Sequence, residues 1–425
     1  MPPTLFDTWG SFTVLPSHRG NKTVGRKEAI LRRLLFLIWL MGGGTAFAGP
    51  GPESAPLTLA AAKTIAPNTP FTVLCYHRFI TRRLKTTSTY LVGVDQFQWQ
   101  MQYLKDHGIT PITVQQLMDF WNKGTPLPPK PVLLTFDDGF RSIYQKAFPV
   151  LEKFKYPGVL FLISSFVKVG EDWSKTPKAQ ARRLALNDAE IAQMQKAGLA
   201  VESHTVSHPL FAKDEEQMTP KKYLEKVRHE LGYPVTFLQD QFGQKPELLA
   251  YPYGVYNAEV LKQTAELYQL AFTVNEGPND RTVDPYKLRR DLVLGDTTKR
   301  QFESMFGDRV LHIAHALPGD GQVIQSRKPL ISIQITDPIM AKSVVLRLES
   351  RRLKIHYDPK TRLVTYQVED PIWRGGHQLT LRAKDTQGTV RMYSWYFRVQ
   401  HLTQKARAVK TTAAVHPAGG GHEHS

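Results

Sequence analysis

The sequence predicts an α/β chain: a parallel (β/α) barrel or sheet, followed by a small all-β sandwich. Three observations carry this. From Phe71 to about Leu317, short β-branched or aromatic runs alternate with helical stretches. After Gly319-Asp320-Gly321 the pattern changes to short alternating strands split by turns, with no helix-length period between them. The 425 residues, 41% hydrophobic and 22% charged, suffice for two ordinary globular domains and exclude bulk disorder.

Taken in order, the chain opens on Arg26, Lys27, Arg32 and Arg33, then the apolar segment Leu34 to Met41, a glycine run and Ala46-Phe47-Ala48. Basic, apolar and small residues in that order predict a secretory signal peptide over residues 1–48, cut after Ala48, and hence a secreted or cell-envelope protein. About thirty residues precede the apolar core, long for a leader, so an uncleaved membrane anchor is the alternative. The apolar run falls short of the roughly twenty residues a bilayer span needs. Residues 49–70, rich in Pro, Ala and Thr, read as a linker.

Residues 71–318 form the predicted barrel domain. Its strand candidates are Thr72 to Tyr76, Val132 to Phe136, Val159 to Ile163, Ala200 to Glu202, Leu248 to Tyr251 and Ala271 to Val274. Between them, Phe97, Met101 and Leu104 share one helix face, with Asp95 placed to cap it and His107-Gly108 to end it. Asn187 and Glu190 form a capping box for a helix with Ile191 and Met194 on its apolar side, closed by Gly198. Residues 322–401 are the predicted sandwich, with strands Leu330 to Ile335, Ser343 to Leu348, Arg362 to Val368, Gln378 to Ala383 and Thr389 to Val399. Residues 402–425 read as a disordered tail, whose His416, His422 and His424 are solvated or hold a stray metal.

The formal charge is +17; the leader carries six basic and two acidic residues, leaving +13 without it. No nucleic-acid motif accompanies the excess, which excludes that partner class. Attraction to an anionic envelope surface and a merely solvated basic face are the two readings left. Cys75 is the single cysteine, so no intramolecular disulfide forms; within the run Phe71 to Tyr76 it reads as a small buried residue. Nothing in the sequence sets an oligomeric state.

Two adjacent carboxylates, Asp137 and Asp138, follow the apolar run Val132 to Phe136 and precede Gly139. Like charges side by side are costly unless a cation joins them, though Asp-Asp-Gly is also a common surface turn. Further on, His204-Thr205-Val206-Ser207-His208 follows a strand candidate directly. Histidines at i and i+4 meet at one point if the loop makes a helical turn, and imidazole with carboxylate suits Zn²⁺ and similar cations. Both motifs stand at C-terminal strand ends, the face where β/α barrels carry active sites.

With these residues in place the chain resembles the polysaccharide deacetylases of the NodB-homology type, carbohydrate esterase family 4, over roughly residues 71–300. Thr135-Phe136-Asp137-Asp138-Gly139 resembles that family's first motif, His204 to His208 its second, and Tyr251-Pro252-Tyr253-Gly254 its third. The resemblance implies a distorted (β/α) barrel of the NodB type. It implies Asp138, His204 and His208 as ligands of a divalent metal, Zn²⁺ first, with Co²⁺, Ni²⁺ or Fe²⁺ as others, and Asp137 as catalytic base. It also implies metal-assisted removal of acetyl groups from N-acetylglucosamine in an extracellular or cell-wall polysaccharide. Pro252 and Tyr253 would line the substrate and oxyanion position.

The chain departs from the family pattern at Ala250, where an Arg is usual. Leu288-Arg289-Arg290-Asp291-Leu292 resembles a segment of the exported poly-N-acetylglucosamine deacetylase branch, so Arg290 either orients Asp137 or is a surface residue. That branch carries its general acid early, and Val73-Leu74-Cys75-Tyr76-His77 fits, making His77 the acid; His312 and His315 are its rivals. Tyr76, Tyr251, Tyr253, Tyr256 and Trp173 are offered as faces for sugar rings. The appended sandwich resembles bacterial immunoglobulin-like modules. The competing functions are a non-catalytic carbohydrate-binding or adhesive protein with a relic barrel, and a hydrolase of small cyclic amides.

Overall fold

The computed structural model describes residues 68–81, 89–167 and 185–400. The expected signal peptide, nearly all of the expected linker, the expected tail and Trp173 lie outside the described residues.

Strands Thr72–Tyr76, Pro131–Asp138, Gly158–Leu162, Leu199–Ser203, Leu248–Ala250 and Leu270–Phe272 pair in parallel in that order. The short strand Asp291–Leu292 lies against Thr72–Tyr76 on the opposite side, with Leu74 facing Asp291. Three residues earlier, Leu288 bridges in parallel to Phe272 at the other edge. One chain segment, Leu288 to Leu292, is thus hydrogen-bonded to both edges of the sheet, which brings the first and last strands round to each other.

Both faces of the sheet are covered, which is why its strands read as continuous apolar runs. Val73, Leu133, Val159, Phe161, Leu248, Leu270 and Phe272 form one buried cluster. Leu74, Tyr76, Leu134, Phe136, Leu160 and Leu162 form the other, packed with Phe97, Met101 and Leu104 of helix Val94–Asp106 and with Ile191 and Met194 of helix Asp188–Lys196. The Asn187–Glu190 capping box is present. Asp95 is not the cap of its helix: Gly93, extended at the end of strand Leu91–Gly93, takes that place, and Asp95 sits in the first turn. There its charge faces the helix amides, a favourable position all the same.

The C-terminal β region consists of a six-stranded and a four-stranded sheet. Ile331, Ile333 and Ile335 of one share a buried core with Leu346, Leu379, Leu381, Trp395 and Phe397 of the other. Strands Gly375–Lys384 and Val390–Val399 pair along their whole length. Arg309–Val310 pairs with the latter and Ile313–Leu317 with Leu330–Ile335, so these sheets begin ahead of the boundary expected at 318. Leu311 explains the difference, because its side chain is buried in the β core and not in the barrel.

Candidate active site

The strand carrying the acidic pair runs further than its apolar residues predict, through Asp138. Asp137 keeps strand geometry, in register with Phe161. Asp138 has φ 73°, the left-handed region that Asp tolerates better than most residues, and this local turn re-aims the second carboxylate. Asp138 Oδ1 thereby stands 3.4 Å from His204 Nε2 and 3.6 Å from His208 Nε2.

The two histidines do not lie on a helical turn. Thr205 and His208 both have positive φ, 68° and 56°, and the bent loop brings the imidazole centroids to 4.8 Å. Glu230, buried on helix Pro220–Phe242, makes this loop possible by accepting from the amides of Val206 and Ser207 at 3.0 and 2.8 Å. His204 Nδ1 lies 2.8 Å from the carbonyl of Ala250, which assigns a proton to that nitrogen and turns Nε2 toward Asp138. Glu202 seats Ala250 in turn, accepting from Glu247 and Leu248 amides as their strand begins.

Asp137 is held from the other side. Arg290, fully buried on the segment that joins the sheet edges, places its guanidinium Nη1 2.7 Å from Asp137 Oδ1 and its Nε 2.9 Å from the carbonyl of Thr273. The surface reading of Arg290 is thereby excluded. The guanidinium missing at Ala250 arrives here from a different part of the chain. Cys75 donates its thiol to Asp137 Oδ2 at 3.4 Å, and His77 Nδ1 lies 4.0 Å from the same sulfur. His77 is half-buried, with its ring edge-on to Tyr90. His312 pairs instead with Asp337 and Thr282, and His315 is exposed on a strand of the β region; neither joins this group.

Burial alone would raise both carboxylates, but Arg290, then His204 and His77, outweigh it at Asp137 and hold it well below the usual range. The facing imidazoles do the same for Asp138. Burial, helped by the charge of His204, lowers His208 to about 4, which keeps it neutral and able to donate a lone pair. Burial pushes the Cys75 thiol up against the lowering pull of Arg290, so it stands as a protonated donor.

A divalent cation fits the residues present. Neither buried oxygen of Asp138 accepts a hydrogen bond, a costly state for a carboxylate facing two imidazole nitrogens. Tetrahedral N and O ligands about 2.0–2.1 Å from a cation stand about 3.3–3.4 Å apart, close to the observed spacings. Of the aromatics offered for sugar, Tyr76, Tyr251 and Tyr256 are buried; the Tyr76 hydroxyl donates to Gln100 and that of Tyr256 to Asp320. Tyr253 remains, half-buried with φ 58°, its ring edge-on to His208 at 4.5 Å beside the buried Pro252.

Residues 124–272, which include both carboxylates and both histidines, match the family model for polysaccharide deacetylase. Over these residues the chain is similar to the polysaccharide deacetylases. The poly-β-1,6-N-acetyl-D-glucosamine N-deacetylase of Escherichia coli is 25% identical over 251 residues, 52% of this chain but 36% of that protein. The enzyme of the same name from Staphylococcus epidermidis is 29% identical over 223 residues, 50% of this chain and 71% of that protein. Among solved structures, the Streptococcus pyogenes deacetylase PplD is 24% identical with TM-score 0.48, covering 56% of this chain and 99% of PplD. Around the acidic pair, sequence reasoning missed Glu230 and the contact of Cys75 with Asp137. Cys75 lies two residues before His77, which follows directly on the strand Thr72–Tyr76, and that spacing was the available signal.

Proposed function

We propose that this chain is an exported, divalent-metal-dependent N-deacetylase acting on N-acetylglucosamine residues of an extracellular or cell-wall polysaccharide. The observation that carries the reading is the unsatisfied buried carboxylate of Asp138 facing two imidazoles, one residue from a carboxylate clamped by Arg290. Asp138, His204 and His208 would hold the metal, and this borderline donor set suits Zn²⁺. When bound, the cation polarises the acetyl carbonyl and activates water for attack. Asp137 accepts the proton of the attacking water at the carboxylate that Arg290 keeps ionised. His77, on the same rim, donates a proton to the leaving sugar amine. Tyr253 and Pro252 border the position of the developing oxyanion, and Tyr253 offers a ring face to the sugar.

The names of the Escherichia coli and Staphylococcus epidermidis relatives point to a β-1,6-linked polymer as the first substrate to try. The leader-like N-terminus supports export, and the basic balance supports association with an anionic envelope. We read the C-terminal β region as an immunoglobulin-like sandwich. A non-catalytic adhesive role is not favoured, since a relic has no physical reason to keep paired buried carboxylates. The test is acetate release from β-1,6-linked N-acetylglucosamine oligomers and from peptidoglycan, with and without a chelator. Release that ignores both the chelator and Asp137→Asn overturns the reading.

A further inference from the structure

We propose that Cys75, His77 and Asp137 form a second cation site, separate from the Asp138, His204 and His208 set, for a thiophilic divalent ion such as Zn²⁺ or Cd²⁺. The three side chains come from the C-terminal ends of two neighbouring parallel strands, in which Cys75 pairs with Thr135. Cys75 Sγ lies 3.4 Å from Asp137 Oδ2 and 4.0 Å from His77 Nδ1. One donor atom from each of the three falls within 4.8 Å of the others. Around a tetrahedral ion with metal–sulfur bonds of about 2.3 Å and metal–nitrogen or metal–oxygen bonds of about 2.0–2.1 Å, sulfur stands about 3.5 Å from its neighbours. The cysteine–aspartate contact already has that spacing, and a small rotation of the half-buried His77 ring supplies the rest.

A sulfur donor selects soft or borderline ions over Mg²⁺ and Ca²⁺, so the site differs in preference from an all-oxygen pocket. Arg290 occupies Oδ1 of Asp137 and leaves Oδ2 toward the sulfur, with His204 Nε2 of the adjoining first set 3.9 Å away. Its positive charge also opposes a cation there, so this site fills after the first. On filling, the thiol proton passes to solvent and the ion takes Sγ of Cys75, Nδ1 of His77 and Oδ2 of Asp137. The base and the acid are then both engaged, so the doubly loaded protein is an inhibited state. That consequence rests on the proposed function, whereas the site itself does not.

The chain has one cysteine, so a thiolate-to-cadmium charge-transfer band reports on Cys75 alone, whatever other histidines bind. Titration of the full chain with Cd²⁺ is expected to raise that band only after a first equivalent is taken up, and Cys75→Ser is expected to abolish it. In His77→Ala, with folding checked by circular dichroism, Cd²⁺ affinity read from the band should fall by about tenfold or more. Absence of the band in folded wild-type chain, or unchanged affinity in His77→Ala, overturns the site. Acetate release should decline as the band grows; undiminished release overturns the inhibited state. Release absent before the band appears is a failure of the functional reading, and the band still decides the site.

Discussion

Asp137 and Asp138 are chemically identical neighbours with different bonded partners, and those partners support the different roles proposed for them. Asp138 meets two imidazole nitrogens at 3.4 and 3.6 Å, whereas Asp137 is bonded to a guanidinium and a thiol and stands 3.9 Å from the nearer imidazole. Asp137→Asn is therefore expected to lower acetate release by about 10²–10⁴-fold while leaving metal content, measured on the purified protein, close to wild type. Loss of metal together with activity would contradict that division. Arg290 keeps the Asp137 carboxyl ionised, so removing its charge must raise the carboxyl's pKa. Since a base works only when deprotonated, Arg290→Gln should move the acid limb of the pH–rate profile to higher pH, and an unmoved limb would exclude Arg290 as the orienting group. The sequence made the pair and the histidines legible through their spacing. It left Arg290 undecided because a residue far along the chain meets Asp137 only when the sheet edges come together.

At the scale of elements, the loop bearing His204 and His208 is unusual backbone held in place by a helix. Thr205 and His208 occupy the left-handed region, costly for side-chain-bearing residues, and Glu230 secures the amides between them. Glu230→Ala should weaken metal affinity by about 10–100-fold with secondary structure unchanged, measured by competition with a chromophoric chelator. The third motif depends on Gly254, whose φ is 68° and where an added Cβ would stand 2.6 Å from the amide nitrogen of Val274. Backbone at that distance cannot give way cheaply, so Gly254→Ala should yield a destabilised protein with Tyr253 displaced, seen as a lowered melting temperature and lost activity together. The joining segment carries its own pH signature. Burial first, then the charge of Glu276, raises the Asp291 carboxyl to about 7. Unfolded, it titrates near 3.9, so the folded state binds the extra proton between those values. Its contribution to stability is full below about 4 and is lost as pH rises to about 7. Asp291→Asn should flatten the pH dependence of denaturant stability across that window, and an unchanged slope would count against it.

Across the whole molecule, the C-terminal β region is bonded to segments that follow strands Leu199–Ser203, Leu248–Ala250 and Leu270–Phe272. Arg398, largely buried, donates to the carbonyl of Ala212 at 3.1 Å and pairs with Glu215 and Glu216 on helix Phe211–Gln217, shortly after His208. Asp320 accepts from Tyr256, and Ser394 donates to the carbonyl of Glu276. Glu215 is well exposed and adds little, but loss of the buried bonds in Arg398→Ala should cost about 1–3 kcal/mol. Chemical denaturation of the full chain measures this, and a change within error would make the contact incidental. By itself the sequence determined the alternating α/β order, the change to β strands and the two motifs that meet at Asp138, because period and spacing are local properties of the chain. Tertiary structure alone decided which charge steadies Asp137, how His204 and His208 converge, and where the β sheets begin. Each of those depends on contacts between segments far apart in sequence, which no local pattern encodes.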